Sequence, residues 1–144
     1  MKIAVAQIKP FKGNIYQNLE IHKDFIAIAI SYKAAAIFFP ELSATSYEPT
    51  LADVLAVQPE DKRFNDIQLL SDQHNLVIGL GVPTRHSVGI RISMLIFRPG
   101  KPREVYSKQQ LHEDEMPFFV NGHKQILISL NDIHNSFHRM KTRA

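Results

Sequence analysis

The fold is decided by the stretch Ile37-Phe38-Phe39-Pro40-Glu41-Leu42, in which three large apolar residues run into a proline and then a carboxylate. A short apolar run of this kind, here preceded by three alanines, predicts a strand buried on both faces. Proline has no N–H to donate to a sheet, so the strand should stop at Pro40. Glu41 would then lie just beyond a buried strand, where sheet proteins often carry functional groups, although an isolated glutamate is more commonly a solvated loop acid.

The segments before this strand follow strand and helix patterns in turn. Residues 1–8 predict a first strand whose inward positions are Ile3, Val5 and Ile8. Asn14 and Gln17 form a capping-box pattern at the start of a helix that should end near Lys33. Strand, helix and strand at this spacing predict a βαβ unit with a right-handed crossover. The helix face expected to pack on the sheet comprises Ile15, Leu19, His22, Ile26, Ala29 and Ile30, widened by Phe25 and Ile28.

The segments after it predict a second long helix and further strands. That helix should start at Pro59-Glu60-Asp61 and end at Asn75 in a left-handed conformation. Strands are predicted at 76–82, closed by Pro83, and at 90–97, 103–106 and 125–130, with 90–97 and 103–106 forming a hairpin. Glycines at 79 and 81 indicate that a backbone or a ligand approaches the third strand closely. The predicted fold class is α/β, with helices on one face of the sheet.

Composition excludes several classes of function. The 144 residues are 44% hydrophobic and 22% charged, which is typical of a globular chain that buries a core. The chain contains no cysteine, which excludes disulfides, thiolate metal ligands and a cysteine nucleophile within it. The formal charge of +3 belongs to the end of the chain, because Arg139, Lys141 and Arg143 are three of the 17 basic residues and the other 14 balance 14 acids. A neutral body without interleaved aromatic residues argues against a nucleic-acid partner.

Other partners and cofactors are also not indicated. No segment has the length of a membrane span, and the apolar run at residues 3–8 is too short for a signal peptide, so we expect a cytoplasmic protein without a membrane partner. His134 and His138 are four residues apart, but Asn135 stands where a zinc-binding HExxH pattern needs glutamate. A cluster matching no metal-site spacing is formed by His112, Glu113, Glu115 and His123. Neither group of residues therefore favours a metal site.

A second candidate site follows the predicted strand 103–106. Lys108 lies just beyond that strand, as Glu41 lies beyond its own, and acids follow at 113–115. If the two strands are neighbours, Lys108 and Glu41 meet at one end of the sheet. A lysine beside carboxylates is charged, and its ammonium can stabilise an anion that develops on a carbonyl or nitrile. The alternative is a surface lysine paired with acids.

Several motifs together resemble the nitrilase, or carbon–nitrogen hydrolase, superfamily. They are Lys2-Ile3-Ala4-Val5-Ala6-Gln7 with Asn14 to Leu19, Phe39-Pro40-Glu41-Leu42 with Tyr47, Tyr106-x-Lys108-x-x-Leu111, and Glu115 with Gly122. Each is weak alone, but their order and spacing make the resemblance specific over residues 1–130. It implies a carbon–nitrogen hydrolase-like domain that is the N-terminal part of an α-β-β-α sandwich, in a family whose full-length members form homo-oligomers.

The resemblance implies roles for three residues. Glu41 is implied as the general base, Lys108 as the residue that stabilises the tetrahedral intermediate, and Glu115 as a supporting glutamate that orients the site. In the family, a cysteine thiolate attacks a non-peptide amide or a nitrile, and the resulting thioester or thioimidate is hydrolysed without a metal or organic cofactor.

The last fourteen residues depart from the family pattern. Residues 131–144 form a divergent basic tail without a cysteine or an apolar strand period, where the family carries its nucleophile. This predicts an incomplete domain, truncated or frame-shifted, that is inactive alone. Ser136 is a poor substitute because a serine nucleophile needs a strong adjacent base and exact placement. A non-catalytic binding or assembly module that retains the fold is the alternative, and a partner chain that supplies the cysteine stays open.

Overall fold

A computed structural model describes residues 1–130, and the divergent tail with His134, Ser136 and His138 lies outside this range. Its strands are β1 (Ile3–Val5), β2 (Ala36–Phe38), β3 (Val77–His86), β4 (Gly89–Phe97) and β5 (Glu104–Ser107). Its α-helices are α1 (Ile15–Ser31), α2 (Ala52–Leu55) and α3 (Asn65–His74), with single 3-10 turns at Pro49–Leu51 and Lys62–Phe64. The strands form one sheet in the order β1-β2-β3-β4-β5. Strands β1, β2 and β3 are mutually parallel, whereas β4 is antiparallel to both β3 and β5.

Helix α1 follows most of the predicted pattern. The side chain of Asn14 accepts a hydrogen bond from the Gln17 amide at 3.1 Å, which satisfies one of the free amides of the first turn. The predicted positions Ile15, Leu19, His22, Ile26 and Ala29 are buried. Ile28 was predicted to widen this face but is 52% exposed, because it lies about 200° around the helix from Ile26.

The main core lies between the sheet and the two longer helices, as the α/β prediction required. It combines Leu19 and Ile26 of α1 with Ile67 of α3, and with residues of β2, β3 and β4 such as Ile78 and Leu95. The opposite face of the sheet carries a second, smaller cluster that contains no helical residue. Both α1 and α3 therefore cover the same face. Asn75 ends α3 with φ 52° and ψ 46°, which confirms the predicted left-handed cap.

The side assignment of the first strand was wrong at Ile3 and Val5, whereas Ile8 packs against the main core as predicted. The ladder covers only Ile3–Val5, and the side chains of Ile3 and Val5 are 51% and 83% exposed. Ala4 and Ala6 pack against the main core instead. Because side chains alternate along a strand, an inward Ala4 forces both large neighbours to the other face.

Pro83 does not close the third strand as predicted, because β3 continues to His86 and pairs with β4 along that whole length. The carbonyl of Pro83 accepts a bond from the Val57 amide at 3.0 Å, and the Arg85 amide donates to the Val57 carbonyl at 2.9 Å. The backbone N–H and C=O groups of the odd-numbered residues of β3 thus point away from β4. The missing N–H of Pro83 therefore removes no bond to β4, and β2 has already ended at this level.

The sixth strand predicted at 125–130 is absent from the described residues, which contain no paired backbone there. Its alternation has another cause. Ile126, Ile128 and Leu130 pack against the smaller cluster on the face opposite α1 and α3, whereas Leu127 is 95% exposed. The segment lies on the face of the sheet rather than along its edge, and period-two patterning alone does not distinguish these two placements.

Candidate active site

Glu41 lies in a tight turn directly after β2, which we call the Glu41 turn (residues 40–46). Within it, the Ser43 amide donates to the Pro40 carbonyl at 3.1 Å and the Thr45 amide donates to the Leu42 carbonyl at 3.1 Å. Leu42 and Ser46 adopt φ values of 53° and 66°. Such left-handed conformations are costly for residues other than glycine, so the surrounding contacts must hold the turn in place.

Gly81 on β3 allows this turn to sit directly on the sheet. A Cβ atom at Gly81 would lie 2.2 Å from the carbonyl oxygen of Pro40 and 2.5 Å from the amide nitrogen of Leu42. The Gly81 carbonyl also accepts a bond from the Ala44 amide at 2.9 Å. The close backbone approach predicted at this glycine is therefore confirmed, and the approaching backbone is that of Glu41 itself.

Lys108 and Glu41 meet although their strands are not neighbours. Strands β3 and β4 lie between β2 and β5, so the condition under which their meeting was predicted does not hold. The two residues meet because β2 stops early and the Glu41 turn folds over Gly81 towards β5. Two backbone bonds hold Lys108, one to Ile92 and one from Gly122, both at 2.8 Å.

The three candidate residues form one cluster centred on the Lys108 ammonium. Its Nζ lies 2.8 Å from Oε1 of Glu115 and 3.1 Å from Oε2 of Glu41. The two carboxylates differ sharply in exposure, with side chains that are 3% exposed for Glu115 and 42% exposed for Glu41. The other oxygen of Glu115 accepts the His112 amide at 2.9 Å. Each oxygen of the buried Glu115 thus has a hydrogen-bond partner, whereas Glu41 keeps accessible surface.

The contacts between Lys108 and Glu115 keep both side chains charged at neutral pH. Burial raises the pKa of Glu115, but hydrogen bonds from Lys108 and from the His112 amide outweigh it and leave the pKa below its ordinary value. Burial likewise lowers the pKa of Lys108, and its bonds to Glu115 and Glu41 outweigh that effect, so this pKa lies above its ordinary value. Lys108 is therefore a fixed cation beside an open carboxylate.

A cavity of about 290 Å³ opens beside Glu41 and Lys108 on the face of the sheet opposite α1 and α3. Its charged end is formed by these two side chains. The remainder of its wall is mainly apolar and comprises Gly81, Ile92, Ser93, Met94 and Tyr106. A pocket with one charged end and a mainly apolar wall suits a small molecule that has one polar reacting group and a short apolar chain.

Two polar residues near the site were not recognised from the sequence. The helical pattern places His22 on the apolar face of α1 and assigns no role to Asn18 one turn earlier. Both are fully buried, and both bond to the Glu41 turn. The signal that could have revealed them is a pair of polar side chains, four residues apart, on a helix face that is otherwise apolar.

The remaining polar cluster does not form a metal site in the part of the chain that the structure describes. Among residues 1–130, no group of three or more histidine, aspartate or glutamate side chains is placed to hold a metal ion. Glu115, the central member of the His112–His123 cluster, is bound to Lys108 instead. Within the same residues, no helix is long and apolar enough to cross a membrane.

Replacing Lys108 with methionine is expected to destabilise the chain by about 3 kcal/mol at pH 7, because the buried Glu115 carboxylate loses its cation. The pH dependence of the Glu115 contribution should also change sign. In the unmodified chain the lowered pKa of Glu115 makes stability fall as the pH drops below the ordinary glutamate value. Without Lys108, burial should raise this pKa, so Glu115 should contribute more stability on acidification in the variant. Urea unfolding of both chains between pH 3 and 7 measures both effects, because contributions that the two chains share, such as that of His22, cancel in the difference.

The double variant Lys108→Met with Glu115→Gln is the matched control, since it removes the buried charge as well as its partner. It should recover part of the lost unfolding free energy. Equal stability of the single variant and the unmodified chain at pH 7 would contradict the expected burial cost.

Comparisons with known proteins agree with this architecture. The family model described as carbon–nitrogen hydrolase matches residues 2–130. A glutamine-dependent NAD(+) synthetase from Acinetobacter baylyi is 31% identical over 133 residues, an alignment that covers 88% of this chain and 24% of that protein. The chain thus spans about a quarter of the length of this curated relative.

Two solved structures share the fold. An amidase from Nesterenkonia sp. superposes with a TM-score of 0.76 at 22% identity, over 90% of this chain and 52% of that one. The CN-hydrolase superfamily protein XC1258 from Xanthomonas campestris gives a TM-score of 0.79 at 15% identity, over 88% and 48% of the two chains. This chain therefore spans about half the length of each solved structure.

Proposed function

Because the chain belongs to the carbon–nitrogen hydrolase family, we propose that Glu41, Lys108 and Glu115 form the charged part of a site for a small amide. The observation that carries the proposal is the Lys108 ammonium between two carboxylates of unequal exposure, at the end of an apolar cavity. The similar proteins include an amidase and a glutamine-dependent synthetase, so an amide is a better candidate than a nitrile.

The unequal exposure of the carboxylates divides their roles. Both oxygens of Glu115 accept hydrogen bonds, from Lys108 and from the His112 amide, and its lowered pKa keeps it charged, so it holds the lysine rather than exchanging protons. Glu41 lines the cavity with a partly exposed carboxylate and can take a proton from an attacking nucleophile. Lys108 then stabilises the negative charge that develops on the carbonyl oxygen. When the C–N bond breaks, Glu41 returns the proton to the leaving nitrogen.

The nucleophile is the part that this chain does not supply. A structure of the Nesterenkonia amidase carries a covalent adduct at its active-site cysteine, whereas these 144 residues contain no cysteine. We therefore propose that the chain binds an amide but does not cleave it by itself. The same absence favours the second candidate, a non-catalytic binding module that keeps the fold and the pocket.

Amide binding can be tested on the 144-residue chain by NMR titration with butyramide, the ligand named in one structure of the Nesterenkonia amidase. We expect shifts of the cavity residues Met94, Tyr106 and Lys108, and no release of ammonia. Methyl propyl ketone is the matched control, because it replaces the amide nitrogen with a methyl group. It should bind more weakly, since it has no N–H to donate to Glu41.

The variant Glu41→Gln should reduce the preference for butyramide over the ketone, because a neutral amide accepts a weaker hydrogen bond than a carboxylate. Butyramide that leaves the cavity residues unshifted would contradict the proposed site. Release of ammonia would instead show that the chain has a nucleophile other than cysteine.

A further inference from the structure

We propose that Asn18 and His22 are positioning residues for Glu41, which anchor the Glu41 turn to α1 and so set the distance between Glu41 and Lys108. Neither residue touches the cavity. Their importance for the amide site rests on the proposed function, since they act through Glu41. Their effect on the geometry of the Glu41–Lys108 pair does not depend on it.

Asn18 bonds two separate loops to α1. Its side-chain nitrogen donates to the Ala44 carbonyl at 2.9 Å and to the Phe11 carbonyl at 2.8 Å, and its oxygen accepts from the Phe11 amide at 2.6 Å. All these loop groups are backbone atoms that no strand pairs. A buried backbone group without a partner is costly, so Asn18 gives the Glu41 turn a defined attachment three residues after Glu41.

His22 links the same turn to both α1 and β3. Its Nδ1 lies 2.6 Å from the Asn18 carbonyl and its Nε2 lies 2.9 Å from the Ser43 hydroxyl, whose oxygen accepts the Gly81 amide at 3.3 Å. The ring packs against Phe39, with 4.3 Å between the ring centroids. The imidazole thus contacts Phe39, two positions before Glu41, and Ser43, two positions after it.

The direction of these hydrogen bonds is determined by their partners. The Asn18 carbonyl can only accept, so Nδ1 carries the proton and Nε2 accepts from the Ser43 hydroxyl. The Ser43 oxygen in turn accepts the Gly81 amide. Every polar group in this series of hydrogen bonds has a partner in one tautomer of neutral His22, which favours one arrangement of the turn over Gly81.

A role in packing alone would not need this polarity. The same helix face is otherwise apolar, and well-packed apolar residues at buried polar positions are often at least as stabilising. Outside α1, and among residues 1–130, the side chains of Asn18 and His22 bond to residues 43 and 44 of the Glu41 turn and to the loop at Phe11. They therefore determine where residues 40–46 lie, and through them where the Glu41 carboxylate lies relative to Lys108.

The test compares two buried serines by NMR of the lysine side-chain ammonium groups in the full 144-residue chain. Ser43→Ala removes the hydroxyl between His22 and Gly81. Ser71→Ala is the matched control, because Ser71 is equally buried and its hydroxyl donates to the Leu76 carbonyl at 2.7 Å, outside the Glu41 turn. We expect Ser43→Ala to shift or broaden the Lys108 ammonium signal, and Ser71→Ala to leave it unchanged at a similar loss of thermal stability.

A second pair of variants separates the hydrogen bond from the ring. His22→Gln keeps a side-chain acceptor that can reach Ser43, and His22→Leu keeps only apolar bulk, so the Lys108 signal should change less in the glutamine variant. An unchanged Lys108 signal in Ser43→Ala, or equal changes in Ser43→Ala and Ser71→Ala, would overturn the positioning role. These outcomes are independent of butyramide binding, which tests the proposed function separately. If the chain binds butyramide, Ser43→Ala should raise its Kd several-fold.

Discussion

Replacing Gly81 with alanine is expected to displace the Glu41 turn and to lower the unfolding free energy by about 3 kcal/mol or more. The new Cβ would meet backbone atoms of Pro40 and Leu42 at 2.2 and 2.5 Å. Backbone atoms cannot rotate away as a side chain can, so either the turn or strand β3 must move. Urea unfolding measures the loss, and the Lys108 ammonium signal reports whether the ion pair with Glu41 survives.

Gly79→Ala is the matched control for this prediction. Gly79 lies two residues earlier on the same strand, and a Cβ there would meet only side-chain atoms, those of Phe38 and Met94, at 2.5 and 2.8 Å. These side chains can adjust, so we expect a smaller loss of stability and an intact Glu41–Lys108 pair. If Gly81→Ala unfolded at the same urea concentration as the unmodified chain, the close packing of the turn on β3 would be refuted.

The stability of the chain should fall by about 3 kcal/mol between pH 6.5 and pH 4 because of His22 alone. Burial lowers the pKa of His22 from 6.5 to about 4, and the hydrogen bond to the Asn18 carbonyl only partly opposes this. In this interval the unfolded chain binds a proton that the folded chain does not. The contribution of neutral His22 is therefore complete above pH 6.5 and is lost as the pH falls towards 4.

Urea unfolding across this pH range tests the expectation. His22→Gln should flatten the profile between pH 4 and 6.5, whereas His74→Gln, which removes an exposed imidazole, should leave it unchanged. Glu115 acts at lower pH, so the two contributions are separable. A profile that stays equally steep in His22→Gln would contradict the assignment to His22.

Local patterns predicted the elements that depend on local chemistry. The cap at Asn14, the left-handed end at Asn75 and the strand that stops before Pro40 all follow from the conformations that single residues permit. The same reasoning failed at Pro83, where the effect of a missing N–H depends on which side of the strand has a neighbour. It also failed at 125–130, because alternation shows that one side is buried but not against what.

The sequence by itself determined the order of the candidate site: a buried strand, a proline and Glu41, then Lys108 beyond a later strand and Glu115 seven residues after it. Only the tertiary structure decided that two strands separate Glu41 from Lys108, that Glu115 is buried while Glu41 is open, and that His22 holds the turn. The physical reason is the separation along the chain over which each interaction acts. A proline or a cap acts on its own backbone, whereas desolvation and ion-pair distances depend on residues that are tens of positions apart in the chain.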